Sequence, residues 1–334
     1  MFTLNYWIQY YTTLPFTLLY NFVVRNKTFN YGLNKLRWIA KTGSYLDVRQ
    51  NLNEKELKDI LALLKKNEFP EISNEEYTSK ARWIIKSKNL TKDSPILFFI
   101  HGGGFTLKAQ KSQIRSTIKT YRALHNEDLS ILLIDYQVAP ESRFPTPIEE
   151  VFYVYHKLTE QDGYKNIIIM GDSAGANLAS LVLYQVQNKL ENFLKLKVKP
   201  NAAVLLSPWV DLAAEKKGSF IKNEQFDYIS YEAVRYWGSL YTSEPENPLA
   251  SPLKLAKWEG ALPNKVFYQY GDGEVLLDMI EAFKDKIGVQ SKDVHIEPNG
   301  THIHQFVNYS KYSQEKFETT PFCNNLVAFL KTVV

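Results

Sequence analysis

From residue 80 onward, short apolar runs and amphipathic stretches take turns along the chain. The runs fall at 81–86, 96–100, 130–135, 167–170, 202–206, 266–270 and 294–297, with helix-like segments between most of them. A strand that faces water on one side alternates polar and apolar residues, whereas continuous apolar runs need cover on both faces. The pattern therefore predicts an α/β fold with a mostly parallel central sheet and helices on both faces. Upstream, residues 54–66 place Leu57, Ile60, Leu61 and Leu64 at helical spacing behind Asn53, a good N-cap, which predicts an amphipathic helix. Residues 212–262 break the rhythm: they are rich in Trp, Tyr and Pro and lack a clear strand. They predict an insertion folded over the carboxyl edge of the sheet, where open α/β sheets bind ligands.

The amino-terminal stretch follows neither pattern. Its first charge is Arg25, and residues 2–24 carry eight aromatics together with Leu4, Ile8, Leu14, Leu18, Leu19 and Val23. Pro15 near the middle, with Asn5, Gln9, Thr12, Thr13 and Asn21, disfavours a straight membrane span. The lack of a basic start and of a small-residue cleavage site disfavours a signal peptide. Two readings stay open: a segment lying in one membrane leaflet, or a helix that covers a substrate pocket in a soluble protein.

Composition narrows the classes further. With 334 residues and 45% hydrophobic content the chain can bury a large core, which excludes disorder and a disulfide-stapled miniature. Forty Lys and Arg against thirty-six Asp and Glu leave a net charge of +4, spread along the chain, so no nucleic-acid footprint is expected. Cys323 is the single cysteine and cannot form an intramolecular disulfide, so it reads as a buried thiol. There is no HExxH, paired-cysteine, GxGxxG or Walker sequence, so no metal or cofactor is called for.

The chemistry concentrates in four loops. Residues 166–175, Asn-Ile-Ile-Ile-Met-Gly-Asp-Ser-Ala-Gly, form an apolar strand leading into a GxSxG pentapeptide, with an apolar helix expected from Ala176. That is the context of a nucleophile elbow, which lifts a serine, here Ser173, clear of the sheet edge. Upstream, the run 96–100 enters His101-Gly102-Gly103-Gly104-Phe105. Its backbone N–H groups can meet the negative oxygen of an acyl-transfer intermediate, with Gly103, Gly104 and Ala174 as the natural donors. An orienting acid and a base should follow the serine in that order. Two downstream strands end in suitable loops, one holding Asp272, Glu274 and Asp278 and the other His302 and His304.

Together these motifs resemble the hormone-sensitive-lipase-like branch of the α/β-hydrolases over roughly residues 80–332, as do Asp135-Tyr-Gln-Val-Ala-Pro-Glu141 and Leu206-Ser-Pro-Trp-Val-Asp-Leu212. The resemblance implies an α/β-hydrolase fold with a cap over the carboxyl edge, no cofactor, and hydrolysis of a hydrophobic carboxylic ester. Matching Leu276-Leu277-Asp278 to the family pattern puts Glu274 on the acid, with Asp272 as rival and Asp278 as loop support. Matching the strand 294–297 and Pro298 puts the base at His302, with His304 as alternative and His295 as a strand residue. Gln137 stands where the family usually has Arg, which bears on a local salt bridge. Pro140, Glu141 and Arg143 are expected to brace the elbow from behind, and Trp209, Tyr236 and Trp237 to line a pocket or pack. Within the branch, the apolar amino terminus and the 271–278 and 299–302 loops resemble fungal steryl acetyl hydrolases, which implies deacetylation of sterol esters at a membrane, with the endoplasmic reticulum as one address and the cytoplasm as the other. The expected division is 1–79, an apolar segment with cap helices, and 80–334, a catalytic domain with its cap insertion at 212–262. Acyl transfer to another alcohol and a non-catalytic ligand receptor on the same fold are the alternatives.

Overall fold

The structure, a computed structural model, describes residues 44–52 and 54–334. Its strands are β1 Glu75–Thr78, β2 Ala81–Ile85, β3 Ile96–Ile100, β4 Ser130–Ile134, β5 Ile167–Asp172, β6 Ala202–Leu206, β7 Lys265–Gly271 and β8 Val294–Glu297. They make one sheet in the order β1-β2-β4-β3-β5-β6-β7-β8. The β1–β2 and β2–β4 pairs are antiparallel, and the strands from β4 to β8 run parallel.

The apolar runs explain the layering. Every residue of β3 is buried, yet its side chains divide: Ile96, Phe98 and Ile100 join one core, and Leu97 and Phe99 join the other. The first core is closed by helices α4 (Thr146–His156), α5 (Ala174–Asn188) and α8 (Leu277–Ile287). The second is closed by α2 (Leu57–Asn67), α3 (Lys111–Leu124), α9 (Gln314–Glu318) and α10 (Pro321–Leu330). Each fully buried aliphatic or aromatic side chain stabilises the fold by about 1.5–3 kcal/mol, so an uncovered face would be costly. Cys323 is buried in the second core, and that burial pushes its thiol up to about 11.

Three boundaries differ from expectation. Strand β1, with sequence Glu-Glu-Tyr-Thr, lies at the sheet edge with its glutamates exposed, so it carries no apolar run. Helix α2 begins at Leu57 with Glu56 at the N-cap position and no side-chain cap bond; Asn53 lies outside the described residues. Helix α5 begins at Ala174, two residues earlier than expected, because Ser173 itself takes the N-cap position.

Residues 212–262 leave the end of β6 and hold α6 (Ser219–Lys222), α7 (Tyr231–Tyr241) and a 3-10 turn at Pro252–Lys254, with no strand. A short helix α1 (Tyr45–Asn51) precedes α2 and is capped by Ser44. The aromatic stretch 2–24 lies outside the described residues. Among the described residues no helix is long and apolar enough to cross a membrane.

Candidate active site

Strands β5, β6, β7 and β8 end side by side, because Asp172 pairs with Leu206 and Gly271 with Glu297 in parallel register. Ser173 follows at once with φ 52° and ψ −119°, a backbone state that non-glycine residues rarely adopt. The turn is held because the Ser173 N–H donates to the Leu206 carbonyl at 2.9 Å and the Ser173 carbonyl accepts from Asn177 N. The flanking glycines are a steric necessity. A Cβ on Gly171 would sit 2.3 Å from the Gly175 carbonyl oxygen, and one on Gly175 would sit 2.0 Å from that of Ile100.

The loop 101–105 is tied to the same turn. Asp172 is fully buried, and its carboxylate accepts from Gly102 N at 2.9 Å and from Gln113 Nε2 at 2.9 and 3.0 Å. Burial pushes that carboxyl up to about 6 against these lowering hydrogen bonds. A Cβ on Gly102 would fall 2.4 Å from the Asp172 carboxylate, while Gly103 and Gly104 have φ of +121° and +61°. The N–H groups of Gly103, Gly104 and Ala174 donate to no backbone acceptor among the described residues. His101 stacks on Tyr136 with ring centroids 4.3 Å apart, and burial pushes it down to about 4, so it is neutral near pH 7.

The segment from Asp135 to Arg143 is hydrogen-bonded to this loop. Ala139 N donates to the Phe105 carbonyl at 2.7 Å, and the Tyr136 hydroxyl to that of His101 at 2.9 Å. Arg49, from α1, forms a two-point ion pair with Glu141 at 2.8 and 3.0 Å and also donates to Thr106 O and Ala139 O. Arg143 donates to Ser239 O on α7. Glu141 and Arg143, with Pro140 before them, thus brace the glycine loop and the insertion, and the expected support of the elbow is corrected accordingly. At Gln137, the backbone N–H meets Glu150, whose other oxygen pairs with Lys80 at 2.7 Å.

Beyond β7, Glu274 turns back under the sheet edge, fully buried. Its Oε1 accepts from the Ser207 hydroxyl at 2.6 Å and from Gly271 N at 2.7 Å. Its Oε2 lies 2.9 Å from His302 Nδ1, and His302 Nε2 lies 2.8 Å from Ser173 Oγ. A carboxylate only accepts, so the proton sits on Nδ1 and Nε2 accepts from the Ser173 hydroxyl. Burial acts to lower the proton affinity of His302, but the Glu274 hydrogen bond and the charges of Glu274, Asp227 and Asp172 outweigh it and raise it above the ordinary histidine value.

The rival residues go elsewhere. Asp272 is exposed. The Asp278 carboxylate accepts from Ser219 N at 2.9 Å, a loop-supporting bond to the start of α6. His304 Nδ1 takes Thr301 N and Asn308 Nδ2 and does not reach Ser173. His295 stacks on Phe267 at 4.3 Å within the sheet. Sequence reasoning missed the buried partners Ser207, Asp172 and Asp227. Ser207 and Asp172 lie inside motifs already singled out, whereas Asp227 sits in a stretch with no motif at all.

Ser173, His302, Gly103 and Gly104 form part of the wall of a cavity of about 510 Å³. Apolar cover comes from Leu107, Trp209, Ile229, Trp237, Leu276 and Phe306, and polar atoms from Gln110, Asn308 and Lys311. Trp209 and Trp237 line it as anticipated. Tyr236 does not; it is partly exposed, and its hydroxyl accepts from Tyr45 N.

A family model for the steryl acetyl hydrolases matches residues 17–329. The mug81 protein of Schizosaccharomyces pombe, assigned to the steryl acetyl hydrolases, is 30% identical over 280 residues, which span 76% of this chain and 72% of that protein. Steryl acetyl hydrolase 1 of Saccharomyces cerevisiae is 24% identical over 71% of this chain and 60% of its own length. An esterase from the bacterial hormone-sensitive lipase family has the same fold, with a TM-score of 0.64 at 22% identity, covering 92% of this chain and 99% of that one. The chain belongs to the steryl acetyl hydrolase family, has the α/β-hydrolase fold, and is a serine carboxylic ester hydrolase.

Proposed function

We propose that Ser173, His302 and Glu274 are the catalytic triad, that Gly103, Gly104 and Ala174 bind the oxyanion, and that the substrate is the acetyl ester of a large apolar alcohol such as a sterol. The observation that carries this reading is the unbroken hydrogen-bonded chain from Ser173 Oγ through His302 to Glu274 on the wall of the cavity. Ser173 Oγ attacks the acyl carbon while its proton passes to His302 Nε2. Glu274 steadies the imidazolium that results. The carbonyl electrons move onto oxygen, where the three N–H groups stabilise them. Collapse expels the alcohol, which takes the proton from His302 and leaves an acetyl ester on Ser173. Water then repeats the steps, releasing acetate and restoring the serine.

The family supports the sterol, and the tryptophan-rich wall suits an apolar alcohol. The volume lies within the roughly 300–1,000 Å³ of small-molecule sites. In this reading residues 212–262 and the amino-terminal helices act as the cap, and residues 2–24 hold the protein on a membrane surface. A panel of p-nitrophenyl esters from acetate to palmitate, followed by sterol acetates, tests the substrate: acetate is expected to turn over fastest, with no turnover by Ser173→Ala, and a preference for long acyl chains would overturn it. Membrane fractionation tests the anchor. Deleting residues 1–24 is expected to release a soluble, active enzyme; full-length protein that stays out of the membrane fraction would refute the anchor.

A further inference from the structure

The insertion contributes a second buried carboxylate to the histidine. Asp227, between α6 and α7, is 0% exposed and accepts three backbone N–H groups. Its Oδ1 takes His302 N at 3.1 Å and Tyr228 N at 2.8 Å, and its Oδ2 takes Val275 N at 2.9 Å. One side chain thus joins the loop of the acid to the loop of the base. Its neighbours on the insertion hold the acid loop as well: Asn223 Nδ2 donates to Glu274 O at 2.8 Å, and the Ser219 hydroxyl donates to Val275 O at 2.7 Å. A backbone bond from Gly273 N to Gly300 O at 2.9 Å joins the same two loops, and Asp227 carries the link to His302 itself, five residues beyond the end of β8.

We propose that Asp227 is a positioning residue for His302, fixing the imidazole against Ser173 through the backbone and facing it with a negative charge additional to that of Glu274. The proposal rests on the Ser173–His302–Glu274 reading. It also makes the insertion a structural part of the triad as well as a cover for the cavity. The groups facing His302 are Glu274 after β7, Asp172 at the end of β5, Asp227, and the Tyr228 ring, with centroids 6.3 Å apart. Asp227 in turn faces His302 and Glu274. Burial pushes its carboxyl up to about 6, so it is ionised above neutrality, where it favours imidazolium. The base must be neutral to accept the Ser173 proton, so activity is lost as pH falls through the His302 value, and removing the Asp227 charge should move that loss to lower pH.

The test measures kcat and KM on p-nitrophenyl acetate from pH 5 to 9 for the wild type, Asp227→Asn and Asp227→Glu. Asparagine offers one oxygen to three N–H donors and no charge. It is expected to lower kcat about tenfold, to leave KM within about twofold, and to shift the acid limb down by about one pH unit. Glutamate restores the charge and should return the limb to the wild-type position. The limb is read as a normalised midpoint, so partial folding does not disturb it. An acid limb unmoved in Asp227→Asn overturns the proposal, as does failure of both variants to fold, which would leave Asp227 a scaffold residue only. Wild-type activity or fluorophosphonate labelling that survives Ser173→Ala would instead overturn the triad reading beneath it.

Discussion

Replacing Ser173 or His302 with alanine is expected to lower kcat by at least about 10⁴-fold, close to background, because each removes a group that acts only as a unit with the other. The double variant should be little worse than either single one. His304→Ala is expected to stay within about threefold of wild type, since His304 holds Thr301 and Asn308 and makes no bond to Ser173. Fluorophosphonate labelling gives an independent reading. Ser173→Ala should abolish it, and His302→Ala should slow it by a similar factor to hydrolysis. If His304→Ala were the crippling change, the hydrogen bond at 2.8 Å between His302 and Ser173 would not be the one that operates in catalysis.

The reach of the sequence differs between fold and site for identifiable reasons. The apolar runs of β3 and β4 are buried from end to end, so their composition alone demands cover on both faces. Strand β1 has the opposite character, since it is held by antiparallel pairing to β2 and leaves its glutamates in water. Nothing in Glu-Glu-Tyr-Thr announces that pairing. The glycines around Ser173 were legible because close approach of two backbones tolerates no other residue. Asp172 was legible as a letter of the motif, but its task was not. That task appears only when the sheet brings β3 and β5 together and lets its carboxylate hold Gly102.

Polar residues that act across long stretches of sequence are the hardest to foresee. Arg49 and Glu141 are far apart in the chain, and only the fold shows that they lock α1 to the glycine loop. The sequence suggested a brace behind the elbow from the neighbouring motif; the chain path places that brace beside Thr106 instead. Asp227 illustrates the same limit more sharply. Its flanking residues, Phe226 and Tyr228, mark a loop of the insertion, and its meaning depends on Val275 and His302 meeting there. Buried carboxylates of this kind are costly unless N–H donors surround them, so their partners, once seen, argue for a task.

Glu274→Gln is expected to reduce kcat by about 10³–10⁴-fold, although it changes neither size nor packing. The reason lies in the far oxygen. Glu274 Oε1 is held by two donors, the Ser207 hydroxyl at 2.6 Å and Gly271 N at 2.7 Å. A glutamine would keep its carbonyl oxygen there, since its amide nitrogen cannot accept from Gly271. The –NH₂ group must then face His302 Nδ1, where the carboxylate lay at 2.9 Å. An amide donor at that point requires Nδ1 to carry the lone pair, so the proton moves to Nε2 and points at Ser173. In that tautomer the histidine cannot accept the serine proton, and the negative charge that steadied the imidazolium is gone as well. Asp272→Ala is expected to retain activity within about twofold, because its side chain is exposed outside this network. The comparison is kcat for Glu274→Gln and Asp272→Ala on p-nitrophenyl acetate. A Glu274→Gln enzyme with near wild-type kcat would show that another carboxylate orients the base, and a crippled Asp272→Ala would identify it.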